Sequence, residues 1–158
     1  MDPKRQFVVG TLLFSAVALG HALVTWPLRS TLVLFVGGAA VALVGEYNVI
    51  RTGLLRHHVE PRVAGVPLVV LAAWPATVYV FYRAAALVVS PGVDTAALAA
   101  VVATLYDVAV DPRGVREGLW TYPESSLSEP RWRGVPWWNF AGWLVVVFGT
   151  SMLVAWFG

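Results

Sequence analysis

The chain has 158 residues, of which 58% are hydrophobic and 13% are charged. A soluble domain usually carries about 25% charged residues, so a chain this apolar is expected to have the lipid bilayer as its solvent. The basic residues behind the net charge of +2 are spread over short loops, which argues against nucleic-acid binding. There is no cysteine, and this excludes disulfide bonds, thiolate catalysis and cysteine-ligated metal.

Five continuous apolar segments predict an all-α, polytopic membrane helix bundle. In chain order they are residues 7–28, 30–50, 65–89, 95–110 and 138–157. The fourth segment is short for a bilayer. Membrane β-strands are disfavoured because they would alternate polar and apolar residues. The first segment follows Lys4 and Arg5 but has no clear small-residue cleavage site, so a retained helix is favoured over a signal peptide.

The basic residues predict how the helices are oriented in the membrane. With a cytoplasmic N-terminus, nine of them lie in cytoplasmic segments: Lys4, Arg5, Arg51, Arg56, Arg62, Arg113, Arg116, Arg131 and Arg133. The outer loops then carry only Arg29 and Arg83. This bias predicts a multi-pass protein of the cell membrane, with its N-terminus and two polar loops, residues 51–64 and 111–137, in the cytoplasm.

The two polar loops share one pattern of charged residues, glycines, prolines and tryptophans. The first block comprises Glu46, Arg51, Gly53 and Leu54 and, 65 positions later, Asp111, Arg116, Gly118 and Leu119. The second block comprises Glu60-Pro61-Arg62, Gly65-Val66-Pro67 and Trp74 and, 69 positions later, Glu129-Pro130-Arg131, Gly134-Val135-Pro136 and Trp143. The pattern predicts a leading helix at 7–28 and two parallel helix–loop–helix repeats at 30–89 and 95–157.

Much of this shared pattern also has a purely architectural interpretation. The Gly-Val-Pro stretches restart a helix after a loop, because proline fits the first helical turn. The arginines of the loops pair either with Glu60 and Glu129 or with lipid phosphates.

Three acidic residues lie at or near membrane depth, where a charge is costly and functional roles are common. They are Glu46, Asp107 and Asp111. Asp107 and Asp111 are four residues apart and therefore share one helix face. Two carboxyl groups this close in a partly dry setting are not expected both to ionise, so one is available as a general acid. An ion pair with Arg113 or Arg116 is the structural alternative.

The three histidines do not have the spacing of a metal site such as His-Glu-x-x-His. His57 and His58 lie in a polar loop and are expected to be solvated, and His21 stands alone on the first span. Neither a metal nor a cofactor is predicted.

Aromatic residues crowd the second loop and the start of the last helix. They are Trp120, Tyr122, Trp132, Trp137, Trp138, Phe140 and Trp143. One interpretation is an interfacial aromatic belt. The other is an apolar slot for a long hydrocarbon, in which aromatic faces would also stabilise a developing cation.

The residues around the second loop resemble the signature of a known family. The matching stretches are Asp107-x-x-x-Asp111-Pro112, Gly118-x-Trp120 and Gly134-Val135-Pro136-x-x-Asn139-Phe140-x-Gly142-Trp143. Weaker matches to an earlier motif are Glu46, Thr52-Gly53, Gly65-Val66-Pro67 and Trp74. Together they resemble the carotenoid biosynthesis membrane proteins, which include the carotenoid hydratases of the bacterioruberin and gamma-carotene pathways. The resemblance covers roughly residues 40–150.

The resemblance implies hydration of the terminal double bond of a C40 or C50 carotenoid, a reaction of the carbon–oxygen lyase class that needs no redox cofactor. On this interpretation Asp107 or Asp111 donates the proton, and Glu46 helps to orient water. The expected substrate-binding residues are Trp74, Trp120, Asn139 and Trp143. Trp120 and Trp143 would shield the cation, and Asn139 would position the water or a carboxylate.

Two other functions stay open at this stage. One is a non-catalytic membrane protein that binds carotenoid or partners other carotenoid biosynthesis enzymes. The other is a small transporter, which is disfavoured because the polar residues gather at one interface and not at the midplane. The expected partners are a carotenoid or another long isoprenoid, and membrane lipid. The retained Asp107–Asp111 pair favours the enzyme, whereas the short chain favours the binding protein.

Overall fold

The computed structural model describes residues 2–125, 127 and 129–158. Within them, five helical spans are each long and apolar enough to cross a membrane, which confirms the predicted all-α bundle. The helices are α1 (Pro3–Thr25), α2 (Leu28–Leu32), α3 (Gly38–Arg51), α4 (Leu68–Ala85), α5 (Val93–Arg116) and α6 (Trp137–Phe157). A π-helical turn at Val33–Gly37 joins α2 to α3, so these two form one span.

Helix α4 lies at the centre of the bundle and packs against α1, α3 and α5. Half of the residues in the most apolar stretch of α4 are buried, compared with 17% for α1. Helix α1 therefore lies at the periphery of the bundle. Small residues line the core where these helices meet: Ala18, Ala22, Ala76, Ala99 and Ala103. Small side chains let helix backbones approach closely, and this packing is what holds helices together where lipid removes the hydrophobic driving force.

Helices α3 and α5 end in the same way at the loop end of the bundle. Gly53 and Gly118 follow them with positive φ angles of 77° and 66°, which a residue without a Cβ adopts at little cost. The next amide N–H groups, of Leu54 and Leu119, then donate back to carbonyls five residues earlier. This Schellman-type arrangement satisfies carbonyl groups that the end of a helix leaves open.

In the part of the loops that the structure describes, there are three short two-stranded sheets. The strands are β1 (Arg56–His57), β2 (Arg62–Val63), β3 (Val66–Pro67), β4 (Trp120–Thr121), β5 (Arg131–Trp132) and β6 (Val135–Pro136). β2 pairs with β3, and β5 pairs with β6, as tight antiparallel hairpins. β1 of the first loop pairs with β4 of the second, with His57 opposite Trp120. This last pairing ties the two loops into one cap over the bundle.

The structure corrects two predicted boundaries. Helix α5 continues to Arg116 and not only to residue 110, so Asp111 is helical and the second loop begins at Glu117. Asp111 and Pro112 are both buried, and this packing outweighs the tendency of proline to break a helix. Helix α4 begins at Leu68 and not at residue 65, because the preceding Val66–Pro67 is taken up as strand β3.

Candidate functional site

A cavity of about 500 Å³ lies at the loop end of the bundle. Helices α1, α4, α5 and α6 line it, together with Glu46 of α3 and the β1 and β4 strands. All seven residues predicted for the site contribute to its lining: Glu46, Trp74, Asp107, Asp111, Trp120, Asn139 and Trp143. The structure thus brings together residues from both polar motifs, which lie up to 97 positions apart in the chain (143 − 46).

The two aspartates lie side by side on the buried face of α5. Asp107 is 2% exposed and Asp111 is 6% exposed. The Asn139 amide Nδ2 donates a hydrogen bond of 2.9 Å to Oδ2 of Asp107. The Tyr122 hydroxyl donates a hydrogen bond of 2.9 Å to Oδ2 of Asp111. Each carboxyl group is therefore fixed by one neutral donor from another element.

Tyr122 belongs to the aromatic set recognised in the sequence, but it was not predicted as a site residue. Its burial, and the nearby carboxyl groups of Asp111 and Asp107, raise the pKa of Tyr122 well above the usual value of 10.0. The hydroxyl therefore stays protonated and acts as a donor throughout the physiological range.

The prediction that His57 is solvated is wrong. Its side chain is 4% exposed, and its Nε2 lies 2.9 Å from Oε2 of Glu46. The other oxygen of Glu46, Oε1, accepts a hydrogen bond of 3.1 Å from the Trp74 indole. His57 thus links the first loop to the site, and Glu46 is held on both of its oxygens.

A sequence signal for the burial of His57 was present in the first loop. Leu55, His57 and Val59 are buried, whereas the intervening Arg56 and His58 are exposed. This alternation is the period of a strand, and it places His57 on the same face as two apolar residues. His58 instead faces outward and contacts the Thr121 hydroxyl at 3.1 Å.

His21 is not isolated either, although the sequence suggested so. Its Nδ1 lies 2.7 Å from the Tyr79 hydroxyl, which also accepts a hydrogen bond from Arg83 at 3.3 Å. These residues lie towards the C-terminal ends of α1 and α4, at the opposite end from the cavity. His21 therefore plays no part in the site.

The aromatic residues divide into two groups. Trp74 and Trp143 stack in the cavity wall with ring centroids 4.3 Å apart and an interplanar angle of 31°. Trp120 also lines the cavity and lies against the backbone of Gly114, where an added Cβ would come within 2.0 Å of its ring. Trp132 and Trp137 are exposed and fit the interfacial belt instead.

The predicted alternative of an ion pair at the aspartates is wrong for the described part of the chain. Arg113 pairs with Glu117 at 2.6 Å, and none of the ion pairs found includes Asp107 or Asp111. The predicted pairing of loop arginines with Glu60 and Glu129 is confirmed, by Arg62 and Arg131 respectively. Among the residues described, no group of three or more histidines and carboxylates is placed to hold a metal ion.

Five apolar spans around a cavity lined by carboxyl groups and indoles define a small polytopic membrane protein with a polar site at one end. A sequence model of the carotenoid biosynthesis protein family matches residues 6–158, nearly the whole chain, and the chain therefore belongs to this family. Searches of the curated proteins and of the solved structures found no match.

Proposed function

We propose that this protein adds water to the terminal carbon–carbon double bond of a C40 or C50 carotenoid. The observation that carries the proposal is the pair of buried aspartates in a cavity walled by stacked indoles. Hydration of an isolated alkene needs a proton donor, a surface that tolerates a carbocation, and water. Membership of the carotenoid biosynthesis family supports a long isoprenoid as the molecule that brings the alkene.

The shape of the cavity suits one end of a long hydrocarbon. Helices α1 and α5 both line it, and α4, which also lines it, packs against each of them. It runs along α1 from Pro3 to Phe14, which is about 16 Å at the helical rise of 1.5 Å per residue. The hydrocarbon core of a bilayer is about 30 Å thick. A carotenoid whose end occupies the cavity therefore extends its remaining polyene into the lipid.

In the proposed reaction, Asp107 protonates the alkene. Asn139 donates to Oδ2 of Asp107, which leaves Oδ1 to carry the transferred proton. The proton adds to the CH carbon of the terminal (CH3)2C=CH– unit, and the π electrons form the new C–H bond. The product is a tertiary carbocation beside the Asp107 carboxylate, and that negative charge stabilises it.

The aromatic wall and Asp111 complete the proposed site. The faces of Trp74 and Trp143 stabilise the cation by cation–π attraction. Asp111, held by Tyr122, presents a second carboxyl group on the same helix face. Water then adds to the cation through its oxygen and loses a proton. Return of a proton to Asp107 restores the resting site, so the net reaction is the addition of one water molecule.

We also propose that the cytoplasm is the source of this water. The start of α1 and both polar loops lie at the cavity end of the bundle, where most of the basic residues also lie. The bias of basic residues towards the cytoplasmic side supports a cytoplasmic position for this end.

The test is to express the chain in a host that accumulates lycopene, and to analyse the pigments by mass spectrometry. We expect a product heavier than lycopene by one water molecule. Asp107→Asn should abolish it, because an amide has no acidic proton to transfer. Asp94→Asn is the matched control, since Asp94 is exposed at the opposite end of the same helix.

Two results would contradict the proposal. Full activity in Asp107→Asn would exclude Asp107 as the proton donor. A wild-type protein that is present in the membrane and co-purifies with lycopene, but never yields the hydrated product, would indicate a carotenoid-binding protein instead.

A further inference from the structure

His57 is a buried titratable group that has no role in the proposed protonation by Asp107. It lies in β1, opposite Trp120 of β4, and its imidazole contacts the Trp120 ring edge-on, with centroids 6.2 Å apart. Its side chain is 4% exposed and lines the same cavity as Asp107 and Asp111. A buried polar side chain normally has all of its hydrogen-bonding atoms satisfied, so the partners of both ring nitrogens matter.

The first ring nitrogen is occupied by Glu46. Nε2 of His57 lies 2.9 Å from Oε2 of Glu46, and a carboxylate accepts hydrogen bonds, so we assign the ring proton to Nε2. Glu46 is held in turn through its Oε1 by the Trp74 indole, which fixes the direction of the carboxylate. In this tautomer Nδ1 carries a lone pair and no proton.

The second ring nitrogen has no hydrogen-bond partner among the described residues. Nδ1 of His57 is buried and makes no hydrogen bond to any residue that the structure describes. Leaving a buried acceptor unsatisfied is costly, and His57 is one of the residues that line the cavity. We therefore infer that a water molecule from the cavity is the partner of Nδ1. A water bound to Nδ1 would be polarised by an unprotonated imidazole, with its oxygen available to a cation in the cavity.

We propose that His57 is the general base of the hydration and that Glu46 is its positioning residue. The inference rests on the proposed function. As the water oxygen forms its bond to the tertiary carbon, one O–H bond breaks and its proton moves to Nδ1 of His57. Glu46 stabilises the imidazolium through Nε2. The proton then returns through cavity water to the carboxylate of Asp107, which had lost one in the first step.

With separate residues as acid and base, protonation of the alkene and addition of water become two steps that can be measured independently. Protonation by Asp107 needs no base, and a cation that is not captured reverts by returning a proton to the carboxylate. In D₂O each such reversal has a chance of leaving deuterium on the recovered carotenoid. Loss of the base should therefore stop alcohol formation while deuterium exchange continues.

The experiment uses the full-length protein in lipid vesicles with lycopene in D₂O, and mass spectrometry of both alcohol and recovered lycopene. His57→Gln keeps an N–H group towards Glu46 but supplies no base. We expect its alcohol yield to fall by about a hundredfold or more, the usual contribution of a general base, while deuterium still enters the lycopene. Asp107→Asn should lose both signals. His58→Gln, a change at the adjacent exposed histidine, should behave as wild type.

A second variant distinguishes loss of the base from a folding defect. His57→Ala should regain alcohol formation when imidazole is added, because the cavity then holds a replacement base. Wild-type alcohol yields in His57→Gln would overturn the proposal. Loss of both alcohol formation and deuterium exchange in a folded His57→Gln protein would also overturn it, since that result is expected only when the proton donor is lost. If the wild-type protein shows neither signal, the hydratase function itself fails and this inference fails with it.

Discussion

At the scale of single residues, the site depends on neutral donors that hold buried carboxyl groups. Tyr122 and Asn139 each donate one hydrogen bond of 2.9 Å to an aspartate of α5. Because the pKa of Tyr122 is raised above its usual value of 10.0, its hydroxyl keeps its proton as the pH rises through the physiological range. The bond to Asp111 is therefore present whatever the charge of that carboxyl group.

Removing the Tyr122 hydroxyl tests this arrangement. The hydroxyl holds Asp111 beside the place where the cation forms, and Tyr122→Phe lets this carboxyl group turn away. Losing about 1.5 kcal/mol of stabilisation in the transition state should lower the hydration rate by roughly tenfold. The initial rate of alcohol formation in vesicles is the measurement. Tyr47→Phe, at an exposed position outside the cavity, should keep the wild-type rate. Equal rates for the two variants would show that Asp111 does not depend on Tyr122.

A prediction at Gly114 concerns packing. An added Cβ would lie 2.0 Å from the Trp120 ring, so Gly114→Ala must displace this indole from the cavity wall. Overpacking of this kind costs about 1–3 kcal/mol, and the thermal unfolding midpoint in detergent should fall. Gly142→Ala on α6 is the control, because nothing lies within 4 Å of its added Cβ. An unchanged midpoint and unchanged activity in Gly114→Ala would refute the role of Trp120.

At the scale of elements, long apolar runs were enough to predict the number and order of the spans. The end of α5 was not predictable in this way, because Asp111 and Pro112 look like the start of a loop until tertiary packing buries them. The seven predicted site residues do gather in one cavity, as the paired motifs indicated. His57 was missed because a loop that alternates buried and exposed residues was treated as solvated throughout.

The cleft between α1 and α5 gives a prediction for α1 itself. Gly10 lines the cavity and has open space where a Cβ would be placed, so Gly10→Phe should fold normally but fill the cleft. We expect it to lose most of the hydration of lycopene. Gly20→Phe, at an equally open position on the same helix but outside the cavity, should remain active. Hydration by Gly10→Phe at the wild-type rate would show that the carotenoid does not pass between α1 and α5.

At the scale of the whole molecule, both polar loops have related parts in the same order. Helices α3 and α5 end in the same glycine cap, and the hairpins that follow turn at Ala64-Gly65 and Arg133-Gly134, all with positive φ. The hairpins then lead directly into α4 and α6. These features support the predicted pair of repeats, and each proposed half contributes to the cavity: Glu46 from the first, and Asp107 and Asp111 from the second.

The proposed orientation of this bundle can be tested because the natural chain has no cysteine. Thr52→Cys introduces an exposed thiol at the cavity end, and Ser90→Cys introduces one in the loop between α4 and α5 at the other end. A membrane-impermeant maleimide should label Ser90→Cys in intact cells, and Thr52→Cys only after the membrane is permeabilised. The wild-type chain, without a thiol, controls for background labelling. The reverse pattern would place the cavity on the outer side, and the water for the reaction would then come from outside the cell.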